Sequence, residues 1–563
     1  MKLNKSLQYS RWEYIVPILG TASLLIACIN ISAKKYFWND ELYSYYLISE
    51  PSFSRMIMAF HDKINNTPIL YFLTGWLWDK LFGSTELSYR LYSSLGMCVA
   101  LVAVWATLRR TYGFWSTSIG TLGIFCTSWL ILYQNADARM YGLFLALCAL
   151  AFQTYDYLCR QEDPSYRLLF LNGCIHAAIV HTHLFGVFYS GAVLLCLLLT
   201  DIYLRRLKLN TYLSIVLSWL TISLYIPSFV NQSDAGNPRT WLPVPAGDDL
   251  IRLMDPSYSP FLQVTIVGII VVISALTSLY KNVDSRSSTV LREDYPDRQS
   301  EVSVLIFACS FMIIPVVVFI ISRTIKPIFL DRYLIPSALG YAVLLTYMSS
   351  RLISIPAPAI LLNRTLGKKR RIAGFSLVAA GLLVIGLLLR EPIQTAKYYP
   401  LQKVPGHLDG TLGFTNLPMI LRNSHEFLQR EFYSPTRERY FFILDWEAAS
   451  DIRSGAWAPQ EFKHLTALKR NFPQRFKNVQ ATEDFLGKYD RFLVMTYSDT
   501  LRKCPLVPFG MSTATFAQNL HCPQWVTMRL LHNIAYKVTT VGTIENNPVL
   551  LVEKLKAMHS SGK

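Results

Sequence analysis

The chain has 563 residues, 52% of them hydrophobic and only 16% charged, with a mean hydropathy of +0.29. That composition excludes an ordinary water-soluble globule, because the apolar residues come in runs of bilayer length. A net charge of +17 would suggest nucleic acid in a soluble protein. Here Lys and Arg in cytoplasmic loops account for it, and nucleic acid is excluded as a partner.

In chain order, apolar runs predict spans near 13–33, 91–108, 115–133, 140–158, 168–182, 184–200, 212–230, 259–280, 302–321, 333–349 and 372–389. The reading is a mainly α, polytopic membrane protein of about eleven spans, within a range of about ten to thirteen. The first run lacks a small-residue cleavage site and reads as a retained anchor, not a signal peptide. Arg109, Arg110, Arg205, Arg206, Lys208 and the cluster "GKKRR" at 367–371 mark the cytoplasmic loops. An odd number of spans then places the loop after the first span, and everything after 390, on the outer face.

That first loop, "KKYFWNDELYSYYL" at 34–47, carries two adjacent acids, Asp40 and Glu41, among interfacial aromatics. "TPILYFLTGWLWDKLFG" at 67–83 is too short to span and is interrupted by Asp79-Lys80, so it reads as a helix lying in the outer interface. Residues 34–90 are therefore expected to form one structured outer loop within a transmembrane domain of residues 1–390. After 390 the pattern changes. "RYFFILD" (439–445) and "YDRFLVMTY" (489–497) read as buried strands, 459–472 as a helix, and "IAYKVTTVGTIENNPVLLVEK" as a hairpin turning at Asn546-Asn547-Pro548. Residues 391–563 are expected to form an extracytoplasmic α/β domain with its own core, in which Cys504 and Cys522 could pair as a disulfide.

Polar residues collect at the outer ends of the predicted spans. They are Asp40 and Glu41; His61, Asp62 and Lys63; Asp137 and Arg139; His181 and His183; Arg239 and Trp241; and Lys326, Arg332 and Tyr333. Ionisable residues at membrane depth are costly and tend to line cavities or pathways. A carboxylate can act as general base on an acceptor, and cations can neutralise a departing phosphate. Together they suit transfer of a group from a lipid phosphate.

The runs "FWNDELYSYYL", "HDKINNTPILYFLTGWLWDKLFG", "ELSYRLYSSLGMCVALVAVWATLRRTYG", "YQNADARMYGLFLALCAL", "HTHLFG" and "KPIFLDRYLIP", in that order, resemble the GT-C superfamily of membrane glycosyltransferases. They are most similar to its protein O-mannosyltransferase and aminoarabinose transferase branch. The likeness covers residues 13–350. It implies a sugar donor carried on a polyprenyl phosphate, a hexosyl or pentosyl transfer on the outer face with inversion, and an acceptor that is a lipid, polysaccharide or protein. It implies Asp40 as the essential carboxylate with Glu41 beside it. The family often has two prolines where this chain has "NNTPILY", so Thr67 replaces the first. A basic, span-rich chain with no glycosylation-rich stalk fits a bacterial inner membrane, with the active site and tail expected to be extracytoplasmic.

Each residue has a plainer reading. Asp40 and Glu41 could be solvated loop acids, His61 and Asp62 caps of the interfacial helix, and Lys63 an interfacial charge. Asp137 and Arg139, two apart, do not face each other on a helix, so each is expected to have a different partner. His181 and His183 invite a metal, but only Asp40 and Asp137 could complete a ligand set, so no metal or cofactor is assigned. Arg332 is read as a cation for the leaving lipid phosphate, with Tyr333 beside it, and Arg239 and Trp241 as part of a lid. The rival class is a transporter or flippase, whose charges would gather at the mid-plane. A third is a sensor whose tail alone binds.

Overall fold

The computed structural model describes residues 11–237, 242–254, 297–352, 368–446, 449, 458–498, 530, 533 and 535–555. Its backbone packs into two compact units, one formed by residues 1–34, 67–225 and 244–400, the other by 35–66, 226–243 and 401–563.

The first unit is helical. Arg11–Ser32, Glu86–Leu108, Tyr141–Arg160, Gly186–Tyr203, Arg298–Thr324 and Gly374–Tyr398 are long and apolar enough to cross a membrane, with a seventh if Leu209–Leu224 and Ile226–Gly236 make one span between them. These helices make the chain an integral membrane protein. The count of eleven is not reached among the described residues. The predicted span at 259–280 lies outside them, and Tyr166–Thr182 and Ser337–Leu352 have 17 and 16 residues. The run at 115–133 is broken into Phe114–Phe125 and Trp129–Gln134. At the break Thr127 donates its hydroxyl back to the Gly123 carbonyl and Ser128 turns extended, the competition that hydroxyl side chains bring to helices.

Apolar side chains cover these helices on every side. On the first, Leu24, Ala27, Cys28 and Ile31 are buried while Ile15, Ile18, Ile26 and Ile29 are exposed, the distribution of a helix with one face on protein and one on lipid. Glycine permits the closest crossing. A β-carbon on Gly142 would collide with the Ser93 carbonyl, and one on Gly96 with the Gly142 backbone, so Glu86–Leu108 and Tyr141–Arg160 meet through small residues. Thr85 and Ser165 cap their helices by accepting from the Ser88 and Leu168 amides at 3.1 and 3.4 Å.

The second unit is built on a six-stranded sheet: β1 (Met419–Ile420), β2 (Tyr440–Leu444), β3 (Val479–Ala481), β4 (Arg491–Met495), β5 (Tyr536–Ile544) and β6 (Asn547–Lys554), in the order β3-β2-β1-β4-β6-β5. β1 to β4 are parallel, and β6 is antiparallel to β4 and β5. Alternate side chains of β2 face opposite ways. Phe442 meets Phe427 and Phe462, from the helices Ser424–Tyr433 and Ala458–Asn471. Phe441 meets Phe485, from the short helix Thr482–Leu486. The chain therefore winds outward from β1 over one face of the sheet and returns to β4 over the other. The expected hairpin is present but turns at Glu545 and Asn546, both at positive φ, the geometry of a two-residue type I′ turn.

Two readings of the domain plan need correction. The boundary expected at 390 falls inside the helix Lys368–Tyr398, and the units divide at 400. The outer loop 34–90 is not one body, since 35–66 join the second unit and 67–90 the first. The cause is burial. The aromatics of the helix Asn39–Ile48, read as interfacial, are core residues of the sheet unit: Tyr46 packs on Phe476 at 5.0 Å and Tyr45 on Phe432 at 4.8 Å.

Candidate functional site

Asp40 lies in the first turn of Asn39–Ile48, half-buried, where the positive end of the helix dipole favours a carboxylate. Glu41 has a different setting. It is fully buried, accepts from the Trp38 amide at 3.1 Å and lies 3.8 Å from Lys35. It closes the helix N-terminus in the manner of a capping box. The remainder of the segment is fastened to the sheet unit. Phe37 N donates to the Tyr433 hydroxyl at 2.8 Å, Gln429 donates to the Phe37 carbonyl at 2.9 Å, and the Tyr46 hydroxyl donates to Glu431 at 2.8 Å.

Two residues that the sequence did not single out, His425 and Tyr43, lie within electrostatic reach of Asp40, and a third, Glu461, within reach of Tyr43. His425, on the first turn of Ser424–Tyr433 and exposed on one side, is held below its ordinary pKa by partial desolvation and by Arg430 and Arg422, with the charge of Asp40 acting the other way. Glu461 accepts from the Ser424 amide. Burial pushes its pKa up to about 7, against the hydrogen bonds from Ser424. Tyr43 is buried within reach of Ser424, Glu461 and Asp40. In the sequence Tyr43 was one interfacial aromatic of the acidic loop, Glu461 fell in a helical period at 459–472 that says nothing of what the helix faces, and His425 carried no signal.

His61, Asp62 and Lys63 form a fastening. Asp62 accepts from Arg470 and from Asn471 Nδ2 at 2.8 Å. Burial raises its pKa, but the hydrogen bonds from Arg470, the Lys63 amide and Asn471 outweigh it and the net shift is down. Lys63 and Lys463 both bind Asp234, at 2.5 and 3.1 Å, and hold its pKa at about 2. His61 Nδ1 is hydrogen-bonded to the Ser228 hydroxyl at 2.5 Å, and the Lys63 carbonyl meets His464. The loop is thus tied to the helix Ala458–Asn471 and to residues 226–237.

In the first unit the structure brings Arg139, His183, Arg332 and Tyr333 together. His183, at the end of Tyr166–Thr182, is buried against Phe144 at 5.0 Å and Tyr333 at 4.9 Å. It lies within electrostatic reach of both arginines. The Arg332 guanidinium lies 6.0 Å from the Tyr141 ring centroid. Asp137 and Arg139 are buried, on the turn before Tyr141–Arg160, and Ser93 donates to the Arg139 carbonyl at 2.8 Å. His181 faces elsewhere, bonding Thr221 at 3.1 Å, so the H-x-H pair does not converge. Lys326 is exposed. Arg239, Trp241, Cys504 and Cys522 lie outside the described residues. Among the described residues no three His, Cys, Asp or Glu side chains are placed to hold a metal ion. Arg90, passed over in the sequence, is fully buried in the second turn of Glu86–Leu108 and points a guanidinium nitrogen at the Ser32 carbonyl, 3.5 Å away.

No protein-family model matches the chain, and no curated protein matches it in sequence. Among solved structures, ArnT from Cupriavidus metallidurans in the apo state aligns with a TM-score of 0.53 at 12% identity, over 96% of this chain and 98% of that one. ArnT bound to undecaprenyl phosphate gives 0.47 at 12% identity with the same coverage. The oligosaccharyltransferase of Archaeoglobus fulgidus, tethered to an acceptor peptide, gives 0.42 at 10% identity, over 89% of this chain and 70% of that one. The first of these bears on architecture alone: the chain has the fold of that ArnT structure, in keeping with the architecture its sequence resemblance implied.

Proposed function

We propose that the protein transfers a sugar from a polyprenyl-phosphate carrier to an acceptor at the outer face of a membrane, with Asp40 as general base. The observation that carries this reading is a conjunction. A chain with the ArnT fold presents one half-exposed carboxylate, Asp40, at the start of a helix whose neighbouring acid, Glu41, is committed to capping. Asp40 takes the proton from the acceptor hydroxyl or amine as its oxygen or nitrogen attacks the anomeric carbon. The bond from that carbon to the lipid phosphate breaks with inversion, and the lipid phosphate leaves. In this reading Arg139 and Arg332 supply the counter-charge for the departing phosphate, with Tyr333 and His183 shaping their surroundings. Glu41 positions Asp40 and does no bond-making. His61, Asp62 and Lys63 hold the loop in place instead of touching the donor. The bacterial inner membrane, with the second unit outside, remains the proposed setting.

The experiment is mass spectrometry of lipids from cells lacking the protein. A polyprenyl-phosphate sugar should accumulate while one envelope glycan, lipid or protein loses that sugar. An unchanged lipid pool, or accumulation of a substrate on one side of the membrane without loss of any product, contradicts the proposal and favours a carrier.

A further inference from the structure

Polar side chains recur along one stripe of the helix Tyr166–Thr182, in the first unit. Asn172 and His176, one turn apart, are fully buried, while Phe170 and Leu171 are exposed. Polar and ionisable residues buried in a membrane bundle are costly and seldom without function. Asn172 accepts from the Thr154 hydroxyl at 2.9 Å and donates to Ser214 Oγ at 3.0 Å, which ties the helix to Tyr141–Arg160 and to Leu209–Trp219. His176 Nδ1 is bonded to the Ser190 hydroxyl at 2.7 Å, and the same hydroxyl accepts from Trp219 Nε1 at 2.7 Å. An indole N–H can only donate, so the Ser190 proton is left for His176 Nδ1. The other ring nitrogen, Nε2, is buried with no hydrogen-bond partner. An apolar side chain would spare that cost, so the imidazole is kept for the one bond it makes.

We propose that His176 is a positioning residue, whose bond to Ser190 sets the height and rotation of Tyr166–Thr182 so that His183 is seated beside Arg139 and Arg332. The registers along the helix support this. Against Tyr141–Arg160, two antiparallel contacts fall in one row: Asn172 with Thr154, and His183 stacked on Phe144 at 5.0 Å. Against Gly186–Tyr203, His176 meets Ser190, and a β-carbon on Gly186 would collide with the Ile179 carbonyl. A slip or turn of the helix would break both rows together. His183 is held in its turn through Nδ1, which accepts from the Phe185 amide at 3.1 Å. A backbone amide can only donate, so the ring proton of the neutral imidazole lies on Nε2. Tyr333 stands 4.9 Å away and both arginines are within electrostatic reach. The effect of His176 on rate rests on the transferase reading; its effect on His183 does not.

The test uses the full-length protein in detergent, with histidine rings isotopically labelled at nitrogen for magnetic resonance. The His183 signal is identified by its loss in His183→Asn, and it should move by more than its line width in His176→Leu. Transfer from a purified polyprenyl-phosphate sugar should fall at least about tenfold in the same variant, since small misplacements can cost about 10²-fold. Asparagine keeps a polar atom where Nδ1 stands, and glutamine where Nε2 stands. His176→Asn should therefore restore the signal and most of the rate, and His176→Gln neither, although glutamine is nearer in volume. On a His183→Ala background, His176→Leu should cost less than about twofold further, the non-additivity of residues that act through one another. Ser190→Ala removes the same bond from the other helix and carries the test if His176→Leu does not fold. If the parent transfers nothing, the transferase reading falls and the His183 signal alone decides the positioning. An unmoved signal in a folded His176→Leu, rescue by His176→Gln but not by His176→Asn, or fully additive losses overturns the proposal.

Discussion

At the scale of single residues, two neighbouring acids part company. Asp40 stands half-exposed at a helix start, while Glu41 is sealed beneath the Trp38 amide and Lys35. Glu41→Ala should lower stability by about 1 kcal/mol through loss of the cap and slow transfer through misplacement of Asp40. Glu41→Gln, which still accepts from the amide, should recover most of both; thermal melts and transfer rates measured together check this. Glu461 gives a prediction in pH. Its folded pKa of about 7 lies above the ordinary 4.5, so the folded protein holds the proton more tightly than the unfolded chain. Its contribution is complete below about 4.5 and is lost as pH rises toward 7. The parent should therefore melt at lower temperature at pH 8 than at pH 5, and Glu461→Gln should flatten that part of the profile; a parallel profile in the variant contradicts the assignment. The Asp40–Glu41 pair was plain in the sequence because adjacent acids are unusual beside a span. His425 was not, because its significance comes from Asp40, hundreds of positions away, and neither was Glu461, whose bond to the Ser424 amide no local pattern records.

At the scale of elements, the crossing of Glu86–Leu108 with Tyr141–Arg160 sets the position of Asp137 and Arg139. Ser93 and Gly142 touch there, and the same Ser93 holds the Arg139 carbonyl. Gly142→Val should separate the helices, lower the melting temperature and cut transfer together, since overpacking a close contact costs roughly 1–3 kcal/mol. Val at Gly191, where a β-carbon meets nothing within 4 Å, is the control and should be tolerated; the comparison needs only melting curves in one detergent. Helix existence was legible from apolar runs, and β2, β4 and the terminal hairpin from their patterning. The break at 126–128 was not, because hydropathy is blind to a hydroxyl that bonds its own backbone. The short strands β1 and β3, of two and three residues, carry too little pattern to be seen.

At the scale of the molecule, the acidic loop and the tail share one core. Phe37, Tyr46 and the 61–66 loop are bonded to residues between 429 and 471, so truncation near 400 should leave the helix Asn39–Ile48 without its packing. The truncated chain is expected to lose transfer and to expose residues 35–66 to protease, and a stable, active truncation would contradict this. The sequence could place apolar tail strands in a core but not show that the core needed residues 35–66, because no local pattern records a partner so distant. Asp40 itself provides the decisive measurement. Transfer from a purified polyprenyl-phosphate sugar is measured for the parent and for Asp40→Asn, with donor affinity determined separately. The account predicts that transfer falls on the order of 10²- to 10⁴-fold, the range for loss of a general base, while donor affinity is unchanged. Near-parental transfer by a folded Asp40→Asn would contradict it and leave the carboxylate a structural charge.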